Sequence, residues 1–312
     1  MNKFLFLSLL YTLTTSGQTK NIAITIDDLP LNRIIHYDRK EYGDLTDRLL
    51  NQLVRQGAPV IGFVNEDKLY TDGSPDSSKT GLLTKWLDAG FELGNHTYGH
   101  QSANRIPPEE FIENIKRGEI VTRKLMNQRG KQLRFFRHPF LHTGTSLETK
   151  NRIESFLKES GYTVAPVSVD NSEWIFAAAY EKVRLDNNVA LMKYVGEEYI
   201  RYMKEKLLYW EEQAQSLFGR DISHILLIHA NSLNADYYHE LCEMIRSLNY
   251  KFISLEEALK DPAYETADRF IKNNGISWIH RWAITAGKKR DFFGNEPTTP
   301  QSILDLAGIE SE

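Results

Sequence analysis

Short apolar runs alternate along this chain with segments of helical periodicity, and this alternation limits the folds open to it. Apolar residues recur at steps of three and four between the runs, which predicts amphipathic helices between strands. Strands and helices that alternate in this way favour an α/β fold with a parallel sheet or barrel. The apolar runs are 22–26, 59–64, 91–93, 133–136, 163–169, 225–228 and 252–253, and the helical patterns are 47–54, 82–87, 108–126, 146–157 and 235–248.

One segment interrupts this alternation. Between Asp170 and Ile225, apolar residues at strict three- and four-residue steps predict one long inserted amphipathic helix. The helix has too few heptads for a coiled coil, so packing against the barrel wall is favoured over a dimer seam. The residues that carry the pattern are Ile200, Met203, Leu207, Trp210, Ala214 and Leu217.

The tail 262–312 is richer in turns and reads as a C-terminal extension of the same domain. Its tryptophans, Trp278 and Trp282, indicate an aromatic cluster packed on the outer helices, with a sugar-stacking platform as the alternative. Residues 18–312 are predicted to form a single domain.

Residues 1–17 have the pattern of a signal peptide: Lys3 precedes a mostly apolar stretch, 4–13, and small residues follow it. The pattern predicts export, to the periplasm or out of the cell, with an apolar strand or an uncleaved anchor as the alternative. The apolar stretch is too short to cross a bilayer and no later run is longer, so an integral membrane segment is not expected.

The net charge and the cysteine content limit the kinds of binding partner and the means of stabilisation. With 38 basic and 42 acidic residues the net charge is −4, which offers no basic stripe for a nucleic-acid backbone or an anionic membrane. Cys242 is the only cysteine, so an exported protein of this size must be stable through its core rather than through disulfides. Nothing in the sequence indicates the oligomeric state.

Polar residues follow five of the apolar runs, namely Asp27 with Asp28, His96 with His100, Arg137, Asp170 and His229. Active sites of parallel β/α folds lie at the carboxyl ends of the strands, so these side chains are expected to meet. Taken singly, each has an ordinary alternative: a helix cap, a surface ion pair or a core histidine.

His96 and His100 are the strongest of these signals. If the segment is one helical turn, side chains four residues apart lie on one face, within reach of one divalent metal. Neutral imidazoles suit zinc, and a catalytic zinc site usually has three protein ligands, so a third must come from elsewhere in the chain. The pair alone is also compatible with surface or structural histidines.

These segments resemble, in order, the five motifs of the polysaccharide deacetylases of carbohydrate esterase family four, and the resemblance covers 22–259. It implies a distorted (β/α)7 barrel. The matching segments are Thr25-Ile26-Asp27-Asp28-Leu29, His96-Thr97-Tyr98-Gly99-His100, Arg137-His138-Pro139-Phe140, Asp170-Asn171-Ser172-Glu173-Trp174 and Leu227-Ile228-His229.

The resemblance implies Asp28, His96 and His100 as ligands of a divalent metal, zinc first and cobalt or nickel as alternatives. It implies Asp27 as the general base. Adjacent aspartates at an extended strand end point to opposite sides, so the two cannot do the same job.

The remaining motif residues would surround the substrate. Arg137 would keep Asp27 ionised, and His229, kept protonated by Asp170 or Glu173, would be the general acid. Substrate-binding positions carried over with the motifs are Phe140, which offers its backbone N–H to the oxyanion, Trp174 as a wall for the acetyl methyl, Pro139 and Leu227.

The sequence departs from the family pattern at several positions. Leu29 replaces a glycine, which would add bulk where a sugar approaches. Glu173 replaces an aspartate and lengthens the arm, while Phe140 replaces a tyrosine. His138 and His142 are extra histidines, interpreted as supporting or surface residues.

The predicted function is an exported, metal-dependent hydrolase that removes N-acetyl groups from an amino-sugar polymer or oligomer, peptidoglycan- or chitin-like. The expected partner is an acetylated glycan. Alternatives are an O-acetyl xylan-type esterase, a small-molecule amidase and a non-catalytic sugar-binding module.

Overall fold

The computed structural model describes residues 19–33 and 36–312. The predicted signal peptide, 1–17, lies outside the described residues. Among those residues, no helix is both long enough and apolar enough to cross a membrane.

A parallel sheet forms the centre of the fold. Strands β8 and β2 flank β1, and the sheet continues from β2 through β5 and β6 to β7. The short strands β3 and β4 pair with each other outside this sheet. The strands are β1 (Lys20–Leu29), β2 (Val60–Val64), β3 (Tyr70–Thr71), β4 (Ser74–Pro75), β5 (Glu92–Asn95), β6 (Phe135–Phe136), β7 (Thr163–Val164), β8 (His224–His229) and β9 (Tyr250–Phe252).

The sheet curls until its two ends meet. The chain beyond β7 returns to the opposite edge, where Val169 forms a parallel bridge with Leu226 of β8. Strand β9 pairs with the first residues of β1. The predicted α/β fold, a distorted (β/α)7 barrel, is therefore confirmed, although β7 ends well before the predicted limit at residue 169.

Helices cover the sheet, and all five predicted helical patterns fall on helices. Asp38 caps α1 by accepting hydrogen bonds from the Lys40 and Glu41 N–H groups. The helices are α1 (Arg39–Gln56), α2 (Ser77–Asp88), α3 (Pro108–Arg117), α4 (Ile120–Asn127), α5 (Leu147–Glu159), α6 (Glu173–Leu185), α7 (Val189–Phe218), α8 (Ser232–Ser247), α9 (Leu255–Ala258), α10 (Trp278–Thr285) and α11 (Gln301–Ala307).

The predicted helix 108–126 is two helices, α3 and α4, that separate at Gly118. A Cβ atom on Gly118 would lie 2.4 Å from the Thr97 carbonyl carbon and 2.6 Å from the Tyr98 nitrogen. Glycine therefore lets this turn pack directly against the segment that carries His96 and His100.

The long inserted helix is α7, with 30 residues. It buries Tyr199, Met203 and Trp210 within its own chain, as expected for a helix laid on the barrel wall. Helix α6 was not predicted, because it is buried almost all round and so lacks the alternation of polar and apolar faces that marks a surface helix.

The C-terminal extension packs on the outer helices. Trp282 is 2% exposed and its ring lies 5.7 Å from that of Phe218 on α7. Trp278 is also buried. The sugar-stacking alternative is therefore wrong for these two tryptophans, and the packing interpretation is confirmed.

Candidate metal and catalytic site

The five predicted motif segments meet at one edge of the sheet. Asp27 and His229 occupy paired positions on the adjacent strands β1 and β8. The histidine segment follows β5, Arg137 follows β6, and Glu173 begins α6. This edge collects the carboxyl ends of the parallel strands, where β/α folds place their sites.

The segment that carries His96 and His100 is a loop and not a helical turn, so that part of the prediction is wrong. Thr97 and His100 have φ values of 68° and 49° in the left-handed region, which a right-handed helix excludes. The convergence of the two imidazoles is nevertheless correct, with ring centroids 4.8 Å apart.

Asparagine side chains hold this strained loop. Asn65 donates to the His96 carbonyl at 2.7 Å, and the side-chain oxygen of Asn95 accepts from the Thr97 N–H at 2.7 Å. Asn114 accepts from the Gly99 N–H at 3.2 Å. Fixed contacts of this kind offset the cost of the left-handed residues.

Asp28 completes a three-residue cluster with the histidines. Its Oδ1 lies 3.5 Å from His100 Nε2 and 3.8 Å from His96 Nε2, and the donor atoms of all three residues lie within 4.8 Å of one another. The expectation of an extended backbone is wrong here, because Asp28 has φ 68° at a register shift in β1.

The chemistry of the cluster fits a divalent metal. Asp28 Oδ1 is buried and has no hydrogen-bond partner among the described residues. His96 donates from Nδ1 to the Arg137 carbonyl at 2.8 Å, which leaves the Nε2 lone pair facing Asp28. Burial lowers the pKa of His96 well below its usual value, so the ring is neutral as a ligand must be.

Lys68 was not anticipated from the sequence. Its Nζ lies 3.6 Å from Asp28 Oδ1 and donates to the Asp28 carbonyl at 3.2 Å. Burial opposes ionisation of Asp28, but the charges of Lys68 and His100 hold its pKa below the ordinary value. The signal was available, since 65–68 follow β2 at the same edge of the sheet.

Asp27 lies between the histidine cluster and Arg137. Its Oδ2 is 3.7 Å from His96 Nε2 and 3.6 Å from Arg137 Nη1. Burial raises the pKa of Asp27 to about 6, against the opposing charge of Arg137. Arg137 is fully buried, and its Nη2 donates to Thr25 Oγ1 at 2.7 Å.

His229 lies on the other side of the site and is paired with Glu173. Its Nδ1 is 2.7 Å from Glu173 Oε2. Burial disfavours the imidazolium, but the charge and hydrogen bond of Glu173 outweigh it and raise the pKa of His229 to about 9. The other Glu173 oxygen accepts from Asn231 at 2.5 Å and Asn234 at 2.6 Å.

Of the two acids expected beside His229, Glu173 makes the contact. Asp170 is half-buried, and loss of solvent raises its pKa to about 6 against the opposing charge of Lys206. Its backbone carbonyl accepts from Trp210 Nε1 at 2.7 Å. Two asparagines that hold Glu173 were missed: Asn231 caps α8, which is an ordinary role for asparagine, and Asn234 lies within the first turn of that helix.

The predicted substrate-binding residues surround this centre. Phe140 is 51% exposed, and its ring centroid lies 4.4 Å from that of His100. Trp174 is exposed beside a cavity of about 90 Å³ that Asn231 and Ala178 also line. Pro139 and Leu227 are buried, in the turn after β6 and in β8.

One expectation about the neighbouring residues is wrong. Leu29 adds no bulk to the site, because it is fully buried and packs onto Gly62, where a Cβ atom would lie 2.1 Å from Leu29 Cδ1. His138 is buried beside the rings of Phe111 and Phe136, which agrees with the interpretation as a supporting residue. His142 is half-buried and hydrogen-bonds Ser102 at 2.7 Å.

Two of three comparisons with known proteins found matches. Residues 14–165 match the family model described as polysaccharide deacetylase. A search of curated proteins found no match to this chain.

Solved structures show the same fold. The chitin deacetylase from the fungal pathogen Colletotrichum lindemuthianum is 19% identical, with a TM-score of 0.52 over 78% of this chain and 89% of that one. A CE4 family pseudoenzyme from Bacillus anthracis is 12% identical, with a TM-score of 0.50 over 78% of this chain and 66% of that one.

Proposed function

We propose, from the premise that this chain contains a polysaccharide deacetylase domain, that it is a metal-dependent hydrolase of N-acetyl groups on an amino-sugar polymer or oligomer. The substrate would be peptidoglycan- or chitin-like, and the chitin deacetylase of the same fold is compatible with that class. A shared fold alone does not establish activity, as the pseudoenzyme illustrates, so the proposal depends on this chain's own residues.

The observation that carries the proposal is the pairing of a base and an acid around one cluster of metal-ligating side chains. Asp27 adjoins the cluster through His96, and His229 is held protonated by Glu173 at 2.7 Å. An amine leaves only after it has been protonated, whereas an alkoxide is a better leaving group. An acid that is protonated at neutral pH therefore favours amides over esters.

Asp28, His96 and His100 are the residues that would hold the metal. When bound, a divalent ion would polarise the acetyl carbonyl and lower the pKa of water. Zinc suits this oxygen and nitrogen donor set best, with cobalt or nickel as alternatives.

The chain's own groups would carry the proton transfers. Asp27, with a pKa of about 6, is ionised at neutral pH and accepts the proton of the attacking water. Arg137 stabilises that ionised carboxylate from 3.6 Å. His229, with a pKa of about 9, delivers a proton to the leaving nitrogen.

The neighbouring residues would bind the acetyl group. The Phe140 N–H would donate to the developing oxyanion, and Trp174 would face the acetyl methyl beside the small cavity. Asp170 would not contact His229. Its negative charge would instead favour the charged form of Arg137.

Acetate release tests the proposal directly. The purified protein is incubated with N-acetylglucosamine oligomers and with acetylated xylan in parallel, and its metal content is measured on the same preparation. We expect metal-dependent release from the N-acetylated oligomers. Release from xylan alone would identify an O-acetyl esterase, and release from neither would leave the small-molecule amidase or a sugar-binding module.

Export is a separate proposal, since it rests only on residues 1–17. The mass and N-terminal sequence of the protein from its native cells test it. A chain that begins near residue 18 is expected, and a retained Met1 would contradict it.

A further inference from the structure

The turn that carries Phe140 has a strained backbone, although neither of its two left-handed residues is a glycine. Phe140 and Leu141 both have φ 56°, and two consecutive left-handed residues with side chains are costly. Half of the Phe140 side chain is exposed, so core packing does not hold it in place. The turn's own hydrogen bonds, from the Leu141 N–H to the His138 carbonyl at 3.1 Å and from the His142 N–H to the Pro139 carbonyl at 3.0 Å, are supplemented by contacts from elsewhere in the chain.

Arg281 of the C-terminal extension supplies them. It lies on α10, is fully buried, and donates from Nη1 to the Leu141 carbonyl at 3.0 Å. Its Nη2 donates to Thr143 Oγ1 at 2.5 Å. The rigid fork of one guanidinium thus binds two acceptors just beyond Phe140.

A buried ion cluster fixes Arg281 in turn. Its Nε donates to Asp268 Oδ2 at 2.9 Å, and the same carboxylate oxygen lies 2.7 Å from Lys150 Nζ on α5. The Trp278 ring stacks over the guanidinium at 4.3 Å. Buried charges with this many partners define one arrangement and are costly to unpair.

The extension also contacts the turn from a second point. A Cβ atom on Gly275 would lie 1.7 Å from the Phe140 carbonyl oxygen, so the backbone at 275 packs directly on the Phe140 peptide. Only glycine permits this approach. Two separate parts of the extension therefore confine the same turn.

We infer that Arg281 is a positioning residue for the deacetylase site and that the C-terminal extension holds the Phe140–Leu141 turn in its catalytic conformation. This inference rests on the proposed function, in which the Phe140 N–H stabilises the oxyanion. Among the contacts of the described residues, Arg281 has none with Asp28, His96 or His100, so its loss should change the rate and not metal binding.

The test compares Arg281→Gln with the matched control Arg152→Gln, which removes an arginine from an exposed ion pair with Glu109. Hydrogen exchange of 138–144 should become at least about 10-fold faster in Arg281→Gln alone, while 92–101 stays unchanged. Metal content should remain that of the wild type. On N-acetylated oligomers kcat should fall about 10- to 100-fold with KM within about threefold, the scale of a displaced reacting group.

Arg281→Lys should recover only part of the loss, because an ammonium cannot span both acceptors. If Arg281→Gln does not fold, Thr143→Val removes one acceptor at nearly constant volume and should show the same pattern more weakly. Unchanged exchange in 138–144, or an unchanged kcat per bound metal, would overturn the inference. A wild type that releases no acetate would refute the proposed function, while the exchange experiment would still decide whether Arg281 holds the turn.

Discussion

The site contains two histidines whose pKa values are shifted in opposite directions, His96 beside Asp28 and His229 beside Glu173. Beside Asp28, burial lowers the pKa of His96, and the buried Oδ1 atoms of Asp27 and Asp28 have no hydrogen-bond partner in the part of the chain that the structure describes. On the side of Glu173, the pKa of His229 rises to about 9, and both Glu173 oxygens have donors. Buried carboxylate oxygens of this kind suit the binding of a cation, whereas an ion pair whose carboxylate is fully hydrogen-bonded keeps the imidazole protonated. The neighbouring groups of each histidine therefore decide whether it can act as a neutral metal ligand, as proposed for His96, or as a protonated acid, as proposed for His229.

The largest effect should come from removing the metal. Chelation should abolish acetate release and added zinc or cobalt should restore it, because a bound divalent ion would polarise the acetyl carbonyl and lower the pKa of water. His96→Ala should behave like the chelated protein and should not recover with added metal. Acetate release and metal content measured together check this, and full activity in metal-free protein would contradict the assignment.

Substitution of each of the two adjacent aspartates should distinguish the general base from the metal ligand. Asp27→Asn should retain metal yet lose on the order of 10²- to 10⁴-fold in kcat, the usual size of a general-base contribution. Asp28→Asn should lose metal affinity, with partial rescue by added zinc, since an amide oxygen is a weaker ligand. A metal-free Asp27→Asn protein would show that the two roles are exchanged.

Removing the acid should affect amides more than esters. His229→Ala should lower the rate on N-acetylated oligomers by about 10²-fold or more, but barely change hydrolysis of an activated aryl ester, whose leaving group needs no proton. The ester serves as the internal control. Equal losses on both substrates would make His229 a structural residue.

Breaking the ion pair while keeping the imidazole should have the smallest effect. Glu173→Gln removes the carboxylate that raises the pKa of His229, so the acid loses its proton at lower pH. The alkaline limb of kcat/KM, expected near pH 9 in the wild type, should move toward neutrality. A pH profile measures this shift, and an unmoved limb would exclude His229 as the group that sets it.

The ion pair of His229 with Glu173 should also make the stability of the fold depend on pH. Because the folded pKa of His229 exceeds its ordinary value, the pair stabilises the fold fully below about pH 6.5, and this contribution is lost as pH rises through about 9. The wild type should therefore lose more thermal stability than Glu173→Gln over this range. Thermal unfolding at several pH values checks this prediction.

Much of the site was accessible from local patterns. The alternation of apolar runs placed Asp27, His96, Arg137 and His229 at one edge of a parallel sheet, because strands of one direction end together. The same reasoning passed over Lys68, although the strand before it, β2, was recognised. It also missed α6, whose buried faces hide the helical period.

By itself, the sequence determined the residue types, their order and their positions at strand ends, because side-chain alternation is a local property of the chain. Only the tertiary structure decided which acid holds His229, that the histidine loop is left-handed at Thr97, and that Arg281 reaches a turn 140 residues away. These features arise from burial and from charges that are distant in the sequence but close in the fold. The spacing of apolar residues along the chain contains no information on either.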